Sequence, residues 1–489
     1  MLRFFSALVI LLGLSNRFFG QEQLGLRLER FSGISSANLN PANLSGMALK
    51  WDINLAGAAF FVESNYGFIH DASVPKVLRT PPDTTHFYVT SYAVNAPKPI
   101  PGQVIIDFAD RNRKYYGEMR FLAMLPAFAV HLGDQNTVGF STEMHVDAMT
   151  HTVPASLGYP RYDAHPRYSE FELGQISAAA MAWSEAALHF SRKTELENGS
   201  LAIGGSLRFL MAHEALFARS EGSFGLTKIQ GDSLIFRDIE FEGGVTTSNF
   251  PTFLDKKPRF AVNGTGLGVN LGFVFTQGSD DLEDGDYPWK FGASIIDIGQ
   301  IAIRKNAERH TFFQDSSFVL DPNDLTFFTD PHEPIKIGSA RAFNGDSLAS
   351  LAGSKFAVKL PLAICLQGDF RAISNFYING TFIQRIDFRK AAIQRPNILA
   401  VTPRFEQRWW SASVPLILSE YQSFRFGLAA RLGFLTLGTD DLGSYFRQKK
   451  LNSTDFYIAL KINAFRFWGE NAREKRRIGR KSRVKCYEF

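Results

Sequence analysis

Residues 136–149 read NTVGFSTEMHVDAM, and the alternation within this stretch decides the fold class. One set of alternate positions is apolar apart from one Thr: Val138, Phe140, Thr142, Met144 and Val146. The positions between them are small or polar: Thr137, Gly139, Ser141, Glu143, His145 and Asp147. Because successive side chains of a β-strand point to opposite faces, the stretch predicts a strand with one apolar and one polar face.

The same alternation recurs in segments of about ten residues separated by polar turns. In residues 264–275, GTGLGVNLGFVF, the large apolar side chains again share one face. In residues 423–435, Arg425 and Arg431 lie opposite an apolar face. That apolar face comprises Phe424, Phe426, Leu428, Leu432 and Phe434. Charges at mid-strand suit a polar lumen better than the dry core of a soluble β-sandwich or barrel.

These patterns favour an all-β fold, a transmembrane antiparallel β-barrel, because a closed barrel leaves no unpaired backbone in lipid. Aromatic pairs such as Trp409-Trp410 fall at strand ends, where interfacial girdles lie. A soluble β-fold would also alternate and remains the alternative. We predict strands near 48–61, 85–93, 102–109, 117–131, 136–148, 177–192, 199–214, 232–243, 266–277, 287–298, 354–369, 373–386, 396–418, 422–436 and 455–468. Since single-chain bacterial barrels have even strand numbers, we expect about 14 strands.

Two stretches lack a clean period and are interpreted as long connections. Residues 300–353 predict a long extracellular loop, or a loop with an added strand, and residues 149–170 a second, Pro-rich loop. With an even strand number, both termini should lie in the periplasm.

The N-terminus predicts export. Arg3 is followed by an apolar run to Leu14, which is shorter than the roughly 20 residues of a membrane span. A basic start, a short apolar core and a small residue at Gly20 are typical of a secretory signal peptide. Phe18 departs from the small residue expected near the cleavage site. A buried N-terminal helix is the alternative.

Charge and cysteine content exclude several classes of protein. Cys365 and Cys486 form no disulfide framework. The last 21 residues, 469–489, carry eight Lys and Arg and three Glu, which accounts for the whole net charge of +5. This tail either contacts anionic lipid or an acidic partner, or it is a solvated end. The export signal excludes nucleic acid as a partner.

A resemblance to known families rests on Asn40-Pro41-Ala42-Asn43, which is similar to the NPA turn near the mature N-terminus of the long-chain fatty-acid transporter superfamily (FadL-like). More closely, the chain resembles the Bacteroidetes outer-membrane proteins of the DUF5723 family. The segments that carry this resemblance occur in family order: SGISSANLNPANL (32–44), WDINLAGAAFFVESNYGFI (51–69), GTGLGVNLGFVF (264–275), WKFGASIIDIGQI (289–301), LTLGTDDLGSYF (435–446) and FYIALKI (456–462).

The resemblance implies a domain organisation: a signal peptide at 1–20, a hatch segment at 21–46, an outer-membrane barrel at 47–468 and a periplasmic tail at 469–489. Asn before Pro favours an extended or turn backbone and opposes a helix there, although an ordinary turn would show the same feature. We expect the gate residues of the hatch to be Asn38, Asn40, Pro41 and Asn43. The alternation predicts as lumen lining Glu143, His145, Arg425 and Arg431.

Catalytic and metal-site patterns are weak. Ser141, Glu143 and His145 share a strand face, but alternate residues on a strand lie about 7 Å apart, too far for a direct relay. The loop 278–287, GSDDLEDGDY, departs from the EF-hand template at Leu282 and Phe291. The glycines of residues 264–268 precede no helix and more plausibly make room for a plug or for bulky neighbours. The His residues lack zinc-site spacing, so we expect no metal, no cofactor and no enzyme activity.

Three functions are left open. The resemblance implies a channel or transporter for small hydrophobic compounds. The alternative is a scaffold or accessory barrel that partners a periplasmic or outer-membrane protein of a Bacteroidetes secretion, gliding or surface complex. An outer-membrane enzyme is the third. The expected partners are outer-membrane lipid, with hydrophobic small molecules for a transporter or a protein for a scaffold.

Overall fold

The computed structural model describes residues 22–80, 85–87, 103–110, 114–158, 161–220, 222–229, 233–247, 261–278, 286–314, 317–320, 332–386, 393–421 and 423–463. The expected signal peptide (1–20) and tail (469–489) lie outside the described residues, as does most of the acidic loop 278–287. Within the described residues, no helix has the length and apolar character needed to cross a membrane.

A closed antiparallel barrel of 14 strands dominates the structure, which confirms the expected fold class. Each strand pairs with the next along the chain, and the last closes on the first, with Asp52 opposite Asn463 and Glu63 opposite Ser453. The strands are β1 Trp51–Ser64, β2 Tyr115–Met124 and Ala127–Leu132, β3 Asn136–Val153, β4 Ser177–Leu196, β5 Gly199–Ser220, β6 Ile239–Thr246 and Gly264–Gln277, β7 Trp289–Ile303 and Ala307–Gln314, β8 Leu351–Gly353, Phe356–Lys359 and Ala363–Ile373, β9 Phe376–Arg385, β10 Ile398–Glu406, β11 Trp410–Ser413 and Leu416–Ser419, β12 Ser423–Phe426 and Leu428–Leu432, β13 Leu435–Thr439, and β14 Ser453–Asn463.

The two faces of the barrel wall differ as the alternation requires. On β5, Ile203, Leu207 and Phe209 point outward and are at least 42 % exposed, whereas Ser206 and Arg208 between them are buried. The same outward apolar face continues around the barrel, with Leu267, Leu271, Phe273, Phe291, Ile295, Leu399, Val401, Phe424, Phe426, Leu428 and Leu432. Exposed apolar surface of this extent is stable only against lipid, so the wall has the character of an outer-membrane barrel.

The strand total is confirmed, but several expected strands are wrong in detail. The described parts of the expected strands 85–93 and 102–109 do not enter the barrel. Thr85–Phe87 and Val104–Phe108 pair with each other in a separate sheet that includes Gly67–Ala72 and Gln448–Leu451, and residues 88–93 lie outside the described part of the chain. The expected strand 232–243 is divided, because Leu234–Arg237 joins a small sheet with Phe224–Lys228 and barrel pairing begins only at Ile239. Ile239–Thr246 and Gly264–Gln277, which contains most of the expected strand 266–277, are two parts of β6, since both pair with β5.

Two other expected strands, 396–418 and 422–436, each contain a hairpin and two barrel strands. A turn at 407–409 divides the first, and a tight turn at Gly433, which has φ +59°, divides the second. This turn also restarts the alternation, so Phe434 does not join the outer apolar face as expected. It packs inward against a cluster that includes Phe31 and Ile34.

The connections are short at one end of the barrel and long at the other. The short-turn end carries the start of β1, the described end of β14 and tight turns such as 133–135 and 374–375. At the long-connection end, the stretch 149–170 contains the 3₁₀ helix Ala155–Leu157 and the helix Arg161–Ala164. The stretch 300–353 continues β7 and adds the strand Phe318–Leu320 and the helix His332–Ala342, so the loop-plus-strand interpretation fits it.

Two small sheets cover the long-connection end. One contains Phe318–Leu320, Leu234–Arg237, Phe224–Lys228 and Glu170–Leu173, and the other is the sheet of Gly67–Ala72. At the second sheet, the Arg447 guanidinium donates 2.7 Å to Asp71 and holds the pKa of that carboxyl below its usual value.

Candidate functional site in the barrel interior

The N-terminal segment, residues 22–50, folds as short helical turns: Leu24–Arg27, Gly33–Asn38 and Pro41–Gly46. Asn40 sets the last turn, because its backbone is extended and its side chain accepts a 3.0 Å hydrogen bond from the N–H of Ala42. Pro41 follows at the first helical position, where no N–H is needed. None of the described residues 22–50 joins a sheet.

This segment lies inside the barrel, since its polar partners come from strands all around the wall. The partner residues are Asp52 (β1), His131 (β2), Glu143 (β3), Ser191 (β4), Phe273 (β6), Ala293 (β7), Gln367 (β8), Glu406 (β10), Ser411 (β11), Arg431 (β12) and Lys461 (β14). Only a position within the lumen brings one short segment against strands on every side.

Three of the four expected gate residues bind the wall through side-chain amides. Asn38 donates 2.8 Å to Glu143, and Asn43 donates 3.1 Å to Gln367. Asn40 donates 3.0 Å to the carbonyl of Phe273. The segment is therefore tied to β3, β6 and β8 by single side-chain hydrogen bonds.

The fourth expected gate residue, Pro41, packs against the backbone of β5 at a glycine, Gly204. A Cβ added at Gly204 of β5 would lie 2.5 Å from the Pro41 carbonyl carbon and 2.5 Å from the Ala42 nitrogen. Gly204 thus permits an approach that a side chain would block. In the expected glycine run 264–268, Gly268 instead faces Leu360 and Arg208, which agrees with the bulky-neighbour interpretation.

A second group of contacts ties the segment to β10, β11 and β12. Arg431 donates 2.9 Å to Glu29, and its guanidinium lies 4.7 Å from the ring centre of Phe31. Arg30 donates 3.2 Å to Glu406. Arg431 therefore lies on the inner face of the wall and contacts the N-terminal segment directly.

A network of buried charges lies next to the segment, toward the long-connection end. Glu22 accepts from Arg395 at 2.8 Å and pairs with Arg27 at 3.3 Å. Arg395 also donates 2.7 Å to Asp297 on β7. Arg208 on β5 pairs with Asp297 as well, which extends the network across the lumen.

The network continues to the expected lumen residues of β3. Arg208 binds Glu185 of β4, with a distance of 3.1 Å from Nε to Oε1. His145 lies 3.6 Å from Glu185 and 3.3 Å from Glu143, and its ring stacks on Trp183 with 4.5 Å between centroids. Glu143 and His145 thus meet in one cluster.

The last expected lumen residue is separate from this network. Arg425 of β12 is buried, lies 3.4 Å from Glu63 of β1 and stacks over Phe61 at 5.4 Å. It faces the interior but does not belong to the cluster around His145.

Several interior residues escaped the sequence analysis: Glu22, Arg27, Glu185, Arg208, Asp297 and Arg395. A local signal existed for Glu185 and Arg208, which are charges at the centre of apolar strands. No local signal marks Arg395, which lies outside the regular strands and meets its partners only through the closed barrel.

Two cavities flank the N-terminal segment. A polar vestibule of about 1070 Å³ opens at the short-turn end and is lined by residues such as Asn43, Lys50, Lys193 and Lys290. An inner cavity of about 70 Å³ lies within the charge network and is lined by residues that include Glu143, His145 and Asp147. The segment separates the vestibule from the inner cavity.

An apolar layer follows the charge network toward the long-connection end. Its buried side chains come from β3, β4, β5, β7 and β8 and from the segment before β10: Met149, Met181, Trp183, Leu210, Phe217, Ile301, Ile303, Phe356, Val358, Leu360 and Ile393. Along the lumen from the short-turn end, the order is therefore the vestibule, the N-terminal segment, the charge network and the apolar layer.

The buried pair of Ser141 and His189 does not form a catalytic triad. Ser141 hydrogen-bonds His189 at 2.8 Å, but the other ring nitrogen of His189 bonds Ser206 at 2.7 Å rather than a carboxylate. All three are buried. A triad needs an accessible nucleophile and an acidic residue that orients the base.

The fold and interior define a 14-stranded barrel of the outer-membrane type whose lumen holds its own N-terminal segment. The chain belongs to the family described as a family of unknown function (DUF5723), whose model matches residues 106–440. No protein in the set of curated proteins matches the sequence.

The comparison with solved structures finds bacterial transporters and a bacterial protease at low similarity. The Pseudomonas putida toluene transporter TodX has 8% identity and a TM-score of 0.38, with 88% of this chain and 94% of that chain covered. The Ralstonia pickettii toluene transporter TbuX has 8% identity and a TM-score of 0.30, with the same 88% and 94% covered. The Escherichia coli outer membrane protease OmpT has 7% identity and a TM-score of 0.23, with 84% and 96% covered.

Proposed function

We propose that this protein is a gated transporter of the outer membrane that passes small hydrophobic compounds, with the N-terminal segment as its gate. The observation that carries the proposal is the way the segment is held. It fills the lumen between the vestibule and the inner cavity, yet it shares no strand ladder with the wall. Its release breaks side-chain contacts and leaves every barrel hydrogen bond between strands intact.

The apolar layer supports hydrophobic compounds as the cargo. Once the segment moves, a compound in the lumen meets Trp183, Phe217 and Phe356 on the long-connection side. Apolar and aromatic walls with few polar groups are typical of sites for small hydrophobic ligands. The polar vestibule on the other side then serves as the exit to water.

The ends of the barrel supply an orientation. In bacterial outer-membrane barrels, short turns face the periplasm and long loops face the outside. We infer that the short-turn end faces the periplasm, which places the start of β1 and the described end of β14 there.

A disulfide lock tests the gate. The hydroxyls of Ser45 in the segment and Ser191 in β4 lie 2.5 Å apart, so the variant Ser45→Cys with Ser191→Cys should form a disulfide that pins the segment. We expect cells that express the locked variant to take up the hydrophobic dye 1-N-phenylnaphthylamine more slowly, and reductant to restore the rate. The single variant Ser45→Cys is the control.

Deletion of residues 22–46 tests the same gate in the opposite direction. We expect planar bilayers that contain the deletion variant to show larger conductance than those with the full chain. An equal rate of dye uptake with the disulfide formed and with it reduced, together with unchanged conductance after deletion, would contradict a gate at this position.

A scaffold is the second candidate, favoured by exposed apolar side chains, among them Phe313 and Val319, next to a buried apolar cluster outside the barrel. The long-connection end carries Phe224, Leu226, Phe312 and Phe318 in one cluster, packed against the helix His332–Ala342. Nearby, Phe313 is 69 % exposed. A protein partner in stoichiometric amount after mild detergent extraction, with dye uptake unaffected by the lock, would favour the scaffold over the transporter.

A further inference from the structure

Three metal-ligating side chains converge beside the inner cavity. The β3–β4 register places Glu143 directly opposite Glu185, and His145 lies one step along the same inner face. The His145 Nε2 atom is 3.3 Å from Glu143 Oε2 and 3.6 Å from Glu185 Oε2. One ligand atom from each of the three residues lies within 4.8 Å of the others. This group cannot be recognised from the sequence, because Glu185 lies on β4 whereas Glu143 and His145 lie on β3.

The buried charges around these residues do not balance. Glu22 and Asp297 are matched by Arg27 and Arg395, and Glu185 is matched by Arg208. Arg120 pairs with Glu118. Two carboxylates are left without a guanidinium partner, Glu143 and Asp147.

Asp147 contributes most to this imbalance of buried charge. Its side chain is buried, with 6 % of the residue exposed, and it lines the same inner cavity as Glu143 and His145. Among the described residues it makes no direct hydrogen bond or ion pair, and Arg120, His145 and Arg395 act on it only at longer range. Arg120 lies opposite Asp147 in the β2–β3 register, but its guanidinium binds Glu118 instead. A buried carboxylate without a partner is costly, so the site calls for a cation.

We propose that Glu143, His145 and Glu185 bind one divalent transition-metal ion, of the Zn²⁺ class, with Asp147 facing the ion across the inner cavity. With His145 as a neutral ligand, a charge of two compensates Glu143 and Asp147, the two carboxylates that no guanidinium pairs. An imidazole nitrogen with carboxylate oxygens suits zinc and its neighbours better than calcium or magnesium, which take oxygen ligands.

The surroundings fit such a centre. The cavity of about 70 Å³ has room for water ligands that complete the coordination and reach Asp147. Arg208 donates to both carboxylate oxygens of Glu185, with 3.1 Å from Nε to Oε1 and 2.5 Å from Nη2 to Oε2, and Trp183 Nε1 donates to Oε2 at 3.3 Å, so the carboxylate is held in one orientation. Trp183 stacks on the His145 ring with an interplanar angle of 3° and fixes its plane.

Titration with Co²⁺ and Zn²⁺ tests the proposal. The full chain is purified in detergent, stripped with a chelator and titrated with Co²⁺ while its visible absorption is recorded; Zn²⁺ binding is measured by calorimetry. We expect one ion per chain, a visible Co²⁺ band, and loss of that band when Zn²⁺ is added.

Two variants and one matched control locate the ion. His145→Gln and Asp147→Asn should each weaken binding by about ten-fold or more. His189→Gln replaces another buried histidine, on β4, whose ring nitrogens are both bound by serines, and it should bind as the full chain does. Heat-modifiable migration on gels checks that each variant is folded.

Two results would overturn the site. The first is the absence of saturable one-to-one binding by the full chain, which needs no variant. The second is equal affinity in the His145→Gln variant and in the full chain, which would place any bound ion elsewhere.

Discussion

Arg431 on β12 and Glu29 in the N-terminal segment, 402 positions apart in the chain, form a buried ion pair with 2.9 Å between Nε and Oε1. Only 2 % of the Arg431 side chain and 3 % of the Glu29 side chain are exposed. The segment is thus joined to the barrel by charge as well as by amide contacts, and each partner depends on the other to be buried at all.

Removal of one partner should therefore cost more than removal of both. Arg431→Met leaves Glu29 buried and unpaired, which we expect to lower the free energy of unfolding by about 3–5 kcal/mol. The double variant with Glu29→Met should lose less than the two single losses combined. Arg431 also donates to the carbonyls of Gln407 and Arg408, so the double variant should not return fully to the stability of the native chain.

Urea unfolding in lipid, followed by tryptophan fluorescence, measures each variant, and a double-mutant cycle gives the coupling. Additive losses in that cycle would mean that the two charges do not depend on each other.

Gly204 on β5 should determine how closely the N-terminal segment packs against the barrel wall. Gly204→Ala places a methyl group 2.5 Å from backbone atoms of Pro41 and Ala42, and such overpacking costs about 1–3 kcal/mol. We expect the turn Pro41–Gly46 to be displaced and bilayer conductance to rise. The control is Gly205→Ala on the next residue, whose added methyl group meets its nearest neighbour, Leu271, at an ordinary 3.5 Å. Equal conductance of the two variants would contradict close packing of the segment at Gly204.

Local alternation was enough to predict the wall. Arg425 and Phe426 are adjacent in sequence, and the structure buries the first and exposes 40 % of the second, as a period of two requires. The expected total of 14 strands is also confirmed. The extended backbone at Asn40 was predictable because Asn-Pro constrains the backbone locally.

The errors arise where distant segments decide the outcome. Val104–Phe108 has the residues of a strand, but its partner Gly67–Ala72 lies outside the barrel, and no local pattern reveals a strand's partner. His145 was recognised as an inner residue, whereas its neighbour Glu185 depends on the β3–β4 register. Arg395 has no strand period at all, so its role in the charge network required the closed barrel.

The assignment of side chains to the inner or the outer face of the barrel wall yields a further prediction. Phe426→Arg puts a cation on the apolar outer face, which costs about 2–4 kcal/mol at the bilayer midplane, so we expect poor assembly. Phe426→Leu should assemble normally. Arg425→Met should also assemble, but with a lower urea midpoint, because it leaves the fully buried Glu63 without its cation. Heat-modifiable migration in membrane fractions measures assembly; equal assembly of Phe426→Arg and Phe426→Leu would reverse the facing.

The orientation of the barrel can be measured by cysteine labelling of intact cells. Leu78 follows β1 at the long-connection end and is 82 % exposed, whereas Gln135 lies in the short turn between β2 and β3. If short turns face the periplasm, a membrane-impermeant maleimide should label Leu78→Cys on whole cells. It should label Gln135→Cys only after the outer membrane is opened. The background is low, since Cys365 is buried and Cys486 can be replaced by Ser. Labelling of Gln135→Cys on whole cells with protection of Leu78→Cys would invert the barrel and move the vestibule to the cell surface. The proposed gate would then close the entrance to the lumen from outside.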